Sequence, residues 1–460
     1  MKKRCFLIFA LFCLGMGATN AQYKVLFNFN SVNGKFPEGS LTLSGKVLYG
    51  MTYEGGTSDY GCIFRIDTNG SGYKHMFDFN GSNGQFPQGD FLLYGSKLYG
   101  TTIAGGANGY GNIFSIDTNG GGFKDLFDFN GTNGASPVTS LILLGNKLFG
   151  MTSWGGTKDS GCIFSIDTNG NVYKDILDFN GINGKNPYGS LTSIGYKLFG
   201  VTANGGANSN GCIFRLDTSG SGYKDLFDFS GTNGQNPNCQ LTLSGNKLFG
   251  EAYGGANHAG CIFSIDTNGG SYKDIFDFNG TDGGGNAGSL TLLKGILYGM
   301  TEAGGANSDG NIFSIDTNGS GFKDLLDFSG VNGEIPFGSL TISGNNLYGM
   351  TAHGGTKDSG VIFSLNYTTV GINELNQKSS TMTIFPNPSD GIFNFELAGV
   401  IGQSSVEIYN MLGEEIYSQA LRQAQGDNTI DLSNQPSGIY LYRITSEKGE
   451  YIGSGKLVIQ

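Results

Sequence analysis

A unit of about 50 residues recurs seven times in this chain of 460 residues, and this repeat constrains the fold more than any other feature. Equivalent segments begin at Tyr23, Tyr73, Phe123, Tyr173, Tyr223, Tyr272 and Phe322. Repeats of about 40 to 50 residues are typical of β-propellers and of helical arrays. The local pattern within each copy decides between these two architectures.

Each copy carries strand signals throughout. In the second copy the short apolar or alternating runs are 73–79, 90–94, 97–102 and 112–117, and Gly residues bound them. Four strands per copy predict one propeller blade and exclude a helical solenoid. The sequence therefore predicts an all-β fold with seven blades.

The phase of the repeat predicts how the ring closes. The chain opens on the strand YKVLFNF at Tyr23, and the repeats end after the strand VIFSL near Leu365. When blades are counted from the GSL strand, the last blade lacks one strand, and the opening strand supplies it. An open β-solenoid is the alternative, but distinct end caps would then be expected in place of this offset.

Composition excludes several classes of protein. Gly is abundant, with 80 residues, but aromatic residues make up 12% of the chain, which is too many for a disordered chain. Charged residues are 14% of the total and the net charge is −11. An acidic chain of this kind is a poor candidate for binding nucleic acid.

The N-terminal segment has the layout of a secretory signal peptide. Lys2, Lys3 and Arg4 precede an apolar run over 5–16, and small residues follow up to Ala21, where we expect cleavage. A membrane anchor is the alternative, but it needs about 20 apolar residues. We therefore expect a mature chain without a membrane span.

Five Cys remain after the signal peptide, an odd number for an exported protein. Four of them precede an Ile-Phe pair at a position where other copies carry Asn112, Asn311 or Val361. A position that accepts Asn and Val is not a ligand or nucleophile position. The sequence predicts small, buried, replaceable side chains at Cys62, Cys162, Cys212, Cys239 and Cys261.

Recurring LYG-T-x-x-GG, G-x-IF-x-ID and FDF-x-G segments, as in 98–106 and 111–117, resemble the GloVer (gloeo/verruco) tandem repeats over about 340 residues. The double Gly after a strand is also similar to kelch blades, although the kelch Trp is absent and the single Trp of the chain is Trp154. Neither resemblance implies a catalytic activity, so both bear on the fold and leave the function open.

Two sets of loops are predicted, one on each face of the propeller. The set that joins strands 1 to 2 and 3 to 4 is short and uniform, whereas the set that joins strands 2 to 3 and successive blades varies between copies. Before the double Gly the copies carry Glu54, Ala104, Trp154, Asn204, Tyr253, Ala303 and His353, and the interblade loops carry Glu38, Gln88, Val138, Tyr188, Asn238, Ala287 and Phe337.

Variable loops on a rigid scaffold are where binding residues concentrate, and aromatic side chains there can stack on sugar rings or contact a peptide. The predicted ligand-binding residues are Tyr53, Glu54, Trp154, Tyr188, Asn204, Tyr253, Phe337 and His353. Trp154 and Tyr53 are the strongest candidates. Drift at unconstrained exposed positions is the alternative explanation for the variation.

The DTNGSG segments resemble the calcium loops of integrin-type propellers. Candidate oxygen ligands are Asp67, Asn69, Asp117, Asn119 and Asp125, but the fifth loop position is Ser or Gly in most copies, which leaves little charge for a hard cation. The alternative is a structural hairpin in which Asp67 and Asn69 accept turn hydrogen bonds. We expect the hairpin, and no cofactor apart from this weak calcium candidate.

Catalytic groups are scarce. His75, His258 and His353 are the only His and fall in three different copies, and neither a zinc-ligand spacing nor a phosphate-binding loop occurs. The Asp at the position of Asp78, Asp128 and Asp178 recurs regularly from copy to copy, which favours a structural role. The sequence predicts a protein that is not an enzyme.

A different domain follows the repeats. The polar stretch 369–383 is a predicted linker, and 384–460 carries alternating strands suited to a small Ig-like β-sandwich. Its motifs resemble the type IX secretion C-terminal sorting domain of Bacteroidetes-type bacteria, at Pro386, Asn387, Pro388, Gly391, Gly438, Tyr440 and Lys456. The resemblance implies export by the type IX machinery, followed by release or attachment to the cell surface.

Together these observations predict a signal peptide over 1–21, a seven-bladed propeller over 22–368, a linker over 369–383 and a sorting domain over 384–460. The predicted function is non-catalytic binding of an extracellular glycan or surface polymer. Two alternatives stay open: an adhesin or scaffold that uses the propeller for protein contacts, and an extracellular enzyme with a site in the central channel.

Overall fold

The computed structural model describes residues 23–367, 381–398, 404–410, 415–421, 428–446 and 451–460. The chain divides into two compact units, 1–370 and 371–460. The predicted signal peptide lies outside the described residues, and so does the predicted linker up to residue 380. Among the described residues no helix is long and apolar enough to cross a membrane.

The first unit consists of strands β1 to β28. The opening strand is β1 (Tyr23–Asn28). The first three blades contain β2 (Thr42–Ser44), β3 (Val47–Thr52), β4 (Cys62–Asp67), β5 (Lys74–Asp78); β6 (Leu92–Tyr94), β7 (Lys97–Thr102), β8 (Asn112–Asp117), β9 (Lys124–Asp128); β10 (Ile142–Leu144), β11 (Lys147–Thr152), β12 (Cys162–Asp167) and β13 (Lys174–Asp178). The next three contain β14 (Thr192–Ile194), β15 (Lys197–Thr202), β16 (Cys212–Asp217), β17 (Lys224–Asp228); β18 (Thr242–Ser244), β19 (Lys247–Ala252), β20 (Cys261–Asp266), β21 (Lys273–Asp277); β22 (Thr291–Leu293), β23 (Ile296–Thr301), β24 (Asn311–Asp316) and β25 (Lys323–Asp327). The seventh blade contains β26 (Glu334–Ser343), β27 (Asn346–His353) and β28 (Val361–Asn366).

Seven four-stranded antiparallel sheets form from residues 23–367, which confirms the predicted propeller. Six sheets are simple meanders, and the seventh has the order β1-β28-β27-β26. Tyr23 pairs with Leu365 and Asn28 pairs with Val361. The opening strand is therefore the fourth strand of the last blade, as the phase of the repeat predicts.

The second and third strands of each blade are buried on both faces because neighbouring blades stack on them. In β8 the residues 112–116 are all buried. The Phe that follows each FD pair is also buried and packs edge-on against the Phe of the third strand, as for Phe79 and Phe114 with ring centroids 5.3 Å apart. The five predicted Cys are all buried and free, as expected.

The strand order defines two faces of the ring. The face that carries the β3–β4-type loops (53–61 in the first blade) and the interblade loops (79–91 between the first two blades) is called the loop face. The opposite face carries the short turns, such as 45–46 and 68–73, and is called the hairpin face. Both β1 and β28 have their outer chain ends, Tyr23 and Asn366, on the hairpin face.

The second unit contains two sheets. The strands are β29 (Thr381–Phe385), β30 (Ile392–Ala398), β31 (Ser404–Tyr409), β32 (Glu415–Leu421), β33 (Thr429–Asp431), β34 (Gly438–Ser446) and β35 (Tyr451–Ile459). The sheets have the orders β29-β30-β33 and β32-β31-β34-β35. Phe393 and Phe395 from the first sheet share one core with Val406, Ile444 and Leu457 from the second, which is a sandwich arrangement.

Candidate functional site

The variable residues are brought together on the loop face because each interblade loop pairs with the β3–β4-type loop of the blade it enters. Short antiparallel bridges join Lys35 to Glu54, Ala135 to Trp154 and Lys185 to Asn204. The double Gly allows this approach: Gly155 has φ +74°, and a Cβ on it would lie 2.4 Å from the Gly131 carbonyl oxygen. The recurring Asp then fixes the loop, because Thr157 donates to Asp178 from both its amide and its hydroxyl.

An aromatic patch lies where the first blade meets the second. Tyr53 stacks on Phe86 with ring centroids 5.0 Å apart, and Tyr60 meets the edge of Phe86 at 5.7 Å. Glu54 lies beside this patch and its carboxylate is 2.9 Å from Lys35 Nζ. The candidates Tyr53 and Glu54 therefore form one half-buried patch with Phe86, Tyr60 and Lys35.

A second patch lies where the third blade meets the fourth. The Trp154 side chain is 40% exposed, and Lys185 Nζ lies 5.6 Å from its ring centroid, within cation–π range. Lys185 also lines an open groove of about 780 Å³ together with Asn186 and Asn204. The side chains of these two Asn are hydrogen-bonded to each other at 3.4 Å. Asn204 thus lines an amide-rich groove, and Trp154 is connected to that groove through Lys185.

Tyr253 and His353 lie on the loop face but outside these two patches. Tyr253 donates its hydroxyl to Glu302 at 2.9 Å, and burial raises the pKa of Glu302. The His353 ring lies 4.6 Å from the Phe36 ring, with Nδ1 3.7 Å from an Asp358 carboxylate oxygen. Both side chains are engaged by neighbouring loops.

Tyr188 and Phe337 lie at the mouth of the central channel, which opens on the loop face. The mouth is a cavity of about 160 Å³ lined by equivalent residues from all seven blades, and Glu38, Gln88 and Asn238 are among them. The pKa of Glu38 is raised to about 7, mainly by burial and in part by the Glu54 carboxylate, while a hydrogen bond from Gln88 opposes the shift. The seven variable interblade positions thus meet at one point on the ring axis.

Below the mouth, the inner strands are joined by a ring of hydrogen bonds. The amide of one residue donates to the side-chain oxygen of the next blade, as from Asp90 to Ser140 Oγ (2.8 Å) and from Ser140 to Ser190 Oγ (2.8 Å). Asp90 is the single carboxylate of this ring and accepts from the Ser40 amide. Its pKa is raised by burial, while hydrogen bonds from Ser40 and Ser140 oppose that shift.

The calcium candidates are held in structural contacts. Asn69 Oδ1 accepts from the Ser71 amide at 2.8 Å, and Ser71 Oγ donates to Asp67 at 3.2 Å, so the hairpin turn supplies their partners. The equivalent hairpin of the second blade contains Asp117, which is bound to Lys97 at 2.8 Å, and Asn119, which accepts from the Gly121 amide at 2.7 Å.

The remaining calcium candidate, Asp125, is not brought to this hairpin. Its carboxylate accepts from Asn112 Nδ2 at 3.0 Å. Asn112 is at the opposite end of β8 from Asp117, five residues or about 17 Å away along the strand. The structure therefore separates the ligand positions that the calcium resemblance would require to converge.

A pair of carboxylates lies at the outer rim of several blades. In the third blade single ligand atoms of Cys162, Asp175 and Asp178 lie within 4.8 Å of one another. Burial raises the pKa of Asp175 to about 6, and the charge of Asp178 adds to the shift. In the first blade His75 replaces the first Asp, and its Nε2 lies 2.9 Å from Asp78. The same two positions carry a pair of titratable groups in successive blades, which favours a structural arrangement repeated around the ring.

The residues that sequence reasoning missed are Phe36, Phe86, Tyr60 and Lys185, which complete the patches around His353, Tyr53 and Trp154. A signal for two of them exists. The position of Phe36 and Phe86 carries Ser136, Asn186 and Asn236 in other copies, so the comparison that selected Tyr53 also applies to it.

The sorting-motif residues of the second unit meet at the terminal strand. Asn387 donates from Nδ2 to the Lys456 carbonyl (2.8 Å) and accepts at Oδ1 from the Val458 amide (2.9 Å). Gly391 has φ +109°, and a Cβ on it would lie 2.5 Å from Ser433 Cα. Tyr440 donates to the Pro436 carbonyl at 2.7 Å. The first and last motifs of the domain are therefore in direct contact.

The model of the Gloeobacter/Verrucomicrobia repeat matches residues 11–197 and 195–363. The chain belongs to this repeat family. The model of the secretion system C-terminal sorting domain matches residues 383–460. This domain directs the repeat protein to the type IX secretion machinery and indicates secretion and localisation at the outer cell surface. No curated protein matches the sequence.

Solved structures similar to this repeat protein include propellers of several kinds. PorZ, a surface component of the type IX secretion system of Porphyromonas gingivalis, is 12% identical with a TM-score of 0.46, and the match covers 95% of this chain and 60% of PorZ. The propeller domain of the Trilobed protease from Pyrococcus furiosus is 10% identical with a TM-score of 0.45. The match covers 72% of this chain and 94% of that domain. A puromycin-hydrolysing peptidase of Mycobacterium tuberculosis is 11% identical with a TM-score of 0.49. The match covers 79% of this chain and 59% of the peptidase. This repeat protein thus spans about three fifths of two of these chains.

Proposed function

We propose that the loop face is a non-catalytic binding surface for an extracellular glycan or surface polymer. The observation that carries this proposal is the exposed ring of Trp154 beside Lys185 and the groove with Asn186 and Asn204. An indole ring offers an apolar face for the C–H surface of a sugar, while amide and ammonium groups next to it hydrogen-bond to hydroxyls.

The aromatic patch of Tyr53, Phe86 and Tyr60 supports binding of an extended ligand. It lies two blade junctions away from Trp154 on the same face, beside the charged pair of Glu54 and Lys35. Two aromatic patches on one face suit a polymer better than a single monosaccharide. The non-catalytic part of the proposal is supported by the three His, which lie in three different blades.

A glycan array with the full mature chain, residues 22–460, tests the proposal. We expect a specific hit, and we expect Trp154→Ala to weaken it at least about 5-fold, since an aromatic stacking contact contributes about 1 kcal/mol or more. Tyr196→Ala is the matched control, because Tyr196 is 86% exposed but lies on the hairpin face. Binding that responds equally to both substitutions, or no binding to any glycan, would contradict the proposal.

One observation favours protein contacts as a second candidate. Val32, Ile182 and Val331 occupy the same position in three interblade loops and are 82%, 85% and 82% exposed. An adhesin using these side chains should lose cell binding when all three are changed to Ser and should be insensitive to Trp154→Ala. A glycan-binding protein should show the reverse pattern.

A further inference from the structure

We propose that the mouth of the central channel is a separate binding site and that it holds a small organic cation, such as a substituted ammonium group. This inference adds a second site to the proposed function. It rests on that function only in that both sites lie on the loop face. The site is the cavity of about 160 Å³ that includes Glu38, Tyr188, Asn238 and Phe337.

The charge at the mouth has one sign. Among the described residues that line the cavity, Glu38 and Asp90 are charged, and none is Lys, Arg or His. Lys35, which lies in the same interblade loop as Glu38, is bound instead to Glu54 at 2.9 Å and to Asp59 at 3.2 Å. A concave site with low-dielectric walls and charge of one sign concentrates counter-ions. The mouth therefore attracts a cation.

Aromatic surface lies on both sides of the charged residue. Phe337 enters the seventh blade, next to the first blade that Glu38 enters, whereas Tyr188 enters the fourth blade, on the far side of the seven-membered ring. Tyr188 is 37% exposed. A carboxylate combined with Tyr and Phe rings is the combination that recognises substituted ammonium groups through charge and cation–π contact.

One acceptor at the mouth lacks a hydrogen-bond donor, and one carboxyl group lacks a counter-charge. Oδ1 of Asn238 is buried and has no hydrogen-bond partner among the described residues. The pKa of Glu38 is raised to about 7 because burial and the Glu54 carboxylate both disfavour its charged form. A bound ammonium group supplies the missing charge to Glu38.

The size and the arrangement of oxygens favour an organic cation over a metal ion. Drug-sized ligands need about 300 Å³ or more, so the cavity suits one group of a ligand. A calcium ion needs six to eight oxygens at about 2.3–2.6 Å. Asp90 already accepts hydrogen bonds from Ser40 and Ser140. Glu38 and Asn238 lie in the first and fifth blades, on opposite sides of the mouth, and do not form such a shell.

Isothermal titration of the full mature chain with choline tests the inference, and the uncharged isostere 3,3-dimethylbutan-1-ol is the matched ligand control. We expect saturable binding of choline and at least about 10-fold weaker binding of the isostere. Equal binding of both ligands, or no heat from choline up to tens of millimolar, would overturn the inference. Heat of binding on titration with calcium, together with no heat of binding from choline, would overturn it as well.

Two variants locate the site. Glu38→Gln removes the charge at nearly constant shape and Tyr188→Ala removes the opposite ring, and we expect each to weaken choline binding at least about 5-fold. Asp59→Asn removes one negative charge from the same face away from the cavity and should leave choline binding within about 2-fold of the unmodified protein. Unchanged binding in both mouth variants, with melting temperatures unchanged, contradicts the site. Trp154→Ala should leave choline binding intact, so failure of the glycan proposal and failure of this one are separate results.

Discussion

The main-chain amide of Ser339 donates to Ser40 Oγ at 2.7 Å, across the seam where the last copy of the repeat meets the first. The bond is one member of the inner ring that also joins Asp90, Ser140 and Ser190. The seam is therefore closed both at its outer edge and near the ring axis. The outer contact is the pairing of β1 with β28 and the inner contact is this hydrogen bond.

Ser40→Ala tests the inner contact. It leaves the Ser339 amide without its acceptor, and a lost partner for a buried amide costs about 1–3 kcal/mol. We expect a lower free energy of unfolding by denaturant titration. Ser82→Ala, at an exposed loop position, is the control and should change it by less than about 0.5 kcal/mol. Equal effects of the two substitutions would show that the seam bond contributes nothing specific.

Glu251 predicts a dependence of stability on pH. Its carboxyl is 1% exposed, neither oxygen has a partner among the described residues, and burial raises its pKa well above 4.5. Because the pKa is raised in the folded state, the folded protein holds a proton that the unfolded chain releases. The contribution of Glu251 to stability therefore falls as pH rises above about 4.5.

Glu251→Met tests this dependence, since Met51, Met151, Met300 and Met350 occupy the same position in other blades. We expect the variant to be more stable at pH 7.5 by up to about 4 kcal/mol, because three pH units correspond to about that energy. The gain should shrink towards pH 4.5. A gain of the same size at both pH values would assign the effect to packing alone.

The carboxylate pair of the fifth blade predicts a second pH effect. Burial raises the pKa of Asp274 to about 7, and the charge of Asp277 adds to the shift. Stability from this group is present at low pH and is lost as pH rises towards 7. Asp274→Asn should raise the melting temperature at pH 8 but not at pH 4, with a gain of about 1–2 kcal/mol after allowance for solvent screening. Asp309→Asn, which lies outside the pair, should leave the pH profile unchanged.

Calcium should have no effect on the stability of the propeller. Asp67 and Asn69 are occupied by bonds within their own hairpin, and Asp125 is directed to Asn112. We expect the melting temperature of the mature chain to agree within about 1 °C in calcium and in chelator, since an ion that binds only the folded state would raise it. A higher melting temperature in calcium than in chelator would instead support the DTNGSG loops as metal sites.

Asn387 predicts a link between folding of the sorting domain and export. Asn387→Ala removes both bonds to the segment 456–458, with an expected loss of about 1–3 kcal/mol from the sandwich. We expect less protein at the cell surface and more in the periplasm when fractions are compared by immunoblot. Asn434→Ala, at an exposed turn of the same domain, is the control. Normal surface delivery of the Asn387 variant would separate export from this contact.

The repeat predicts most of the fold because each copy imposes the same spacing of strands and turns. The offset of the first strand even predicts its partner, and Tyr23 does pair with Leu365. The contacts on the loop face are different. Phe86 contacts Tyr53 from a loop in which Phe86 itself has φ +60°. This backbone conformation is uncommon for a residue other than Gly, and the sequence does not predict it. Variation between copies identifies which positions differ, but the partner of each side chain depends on the loop conformation.

The same limit applies to the channel mouth. The sequence shows that the position of Glu38, Tyr188 and Phe337 carries a different residue in each of the seven copies. The closed ring brings these residues to one axis although they are up to 299 residues apart. That convergence follows from seven-fold closure, which can be predicted. The pKa of Glu38 and the free oxygen of Asn238 depend on local burial, which periodicity does not determine.

Strand β28 is the last element of the propeller, and it is hydrogen-bonded on both sides, to β27 and to β1. The chain leaves it on the hairpin face, opposite the loops. A pull on any anchor attached beyond residue 367 acts along this strand and loads the bonds to both neighbours together, in shear. The seam strands β1 and β27 thus share any tension that reaches β28 from its C-terminal side.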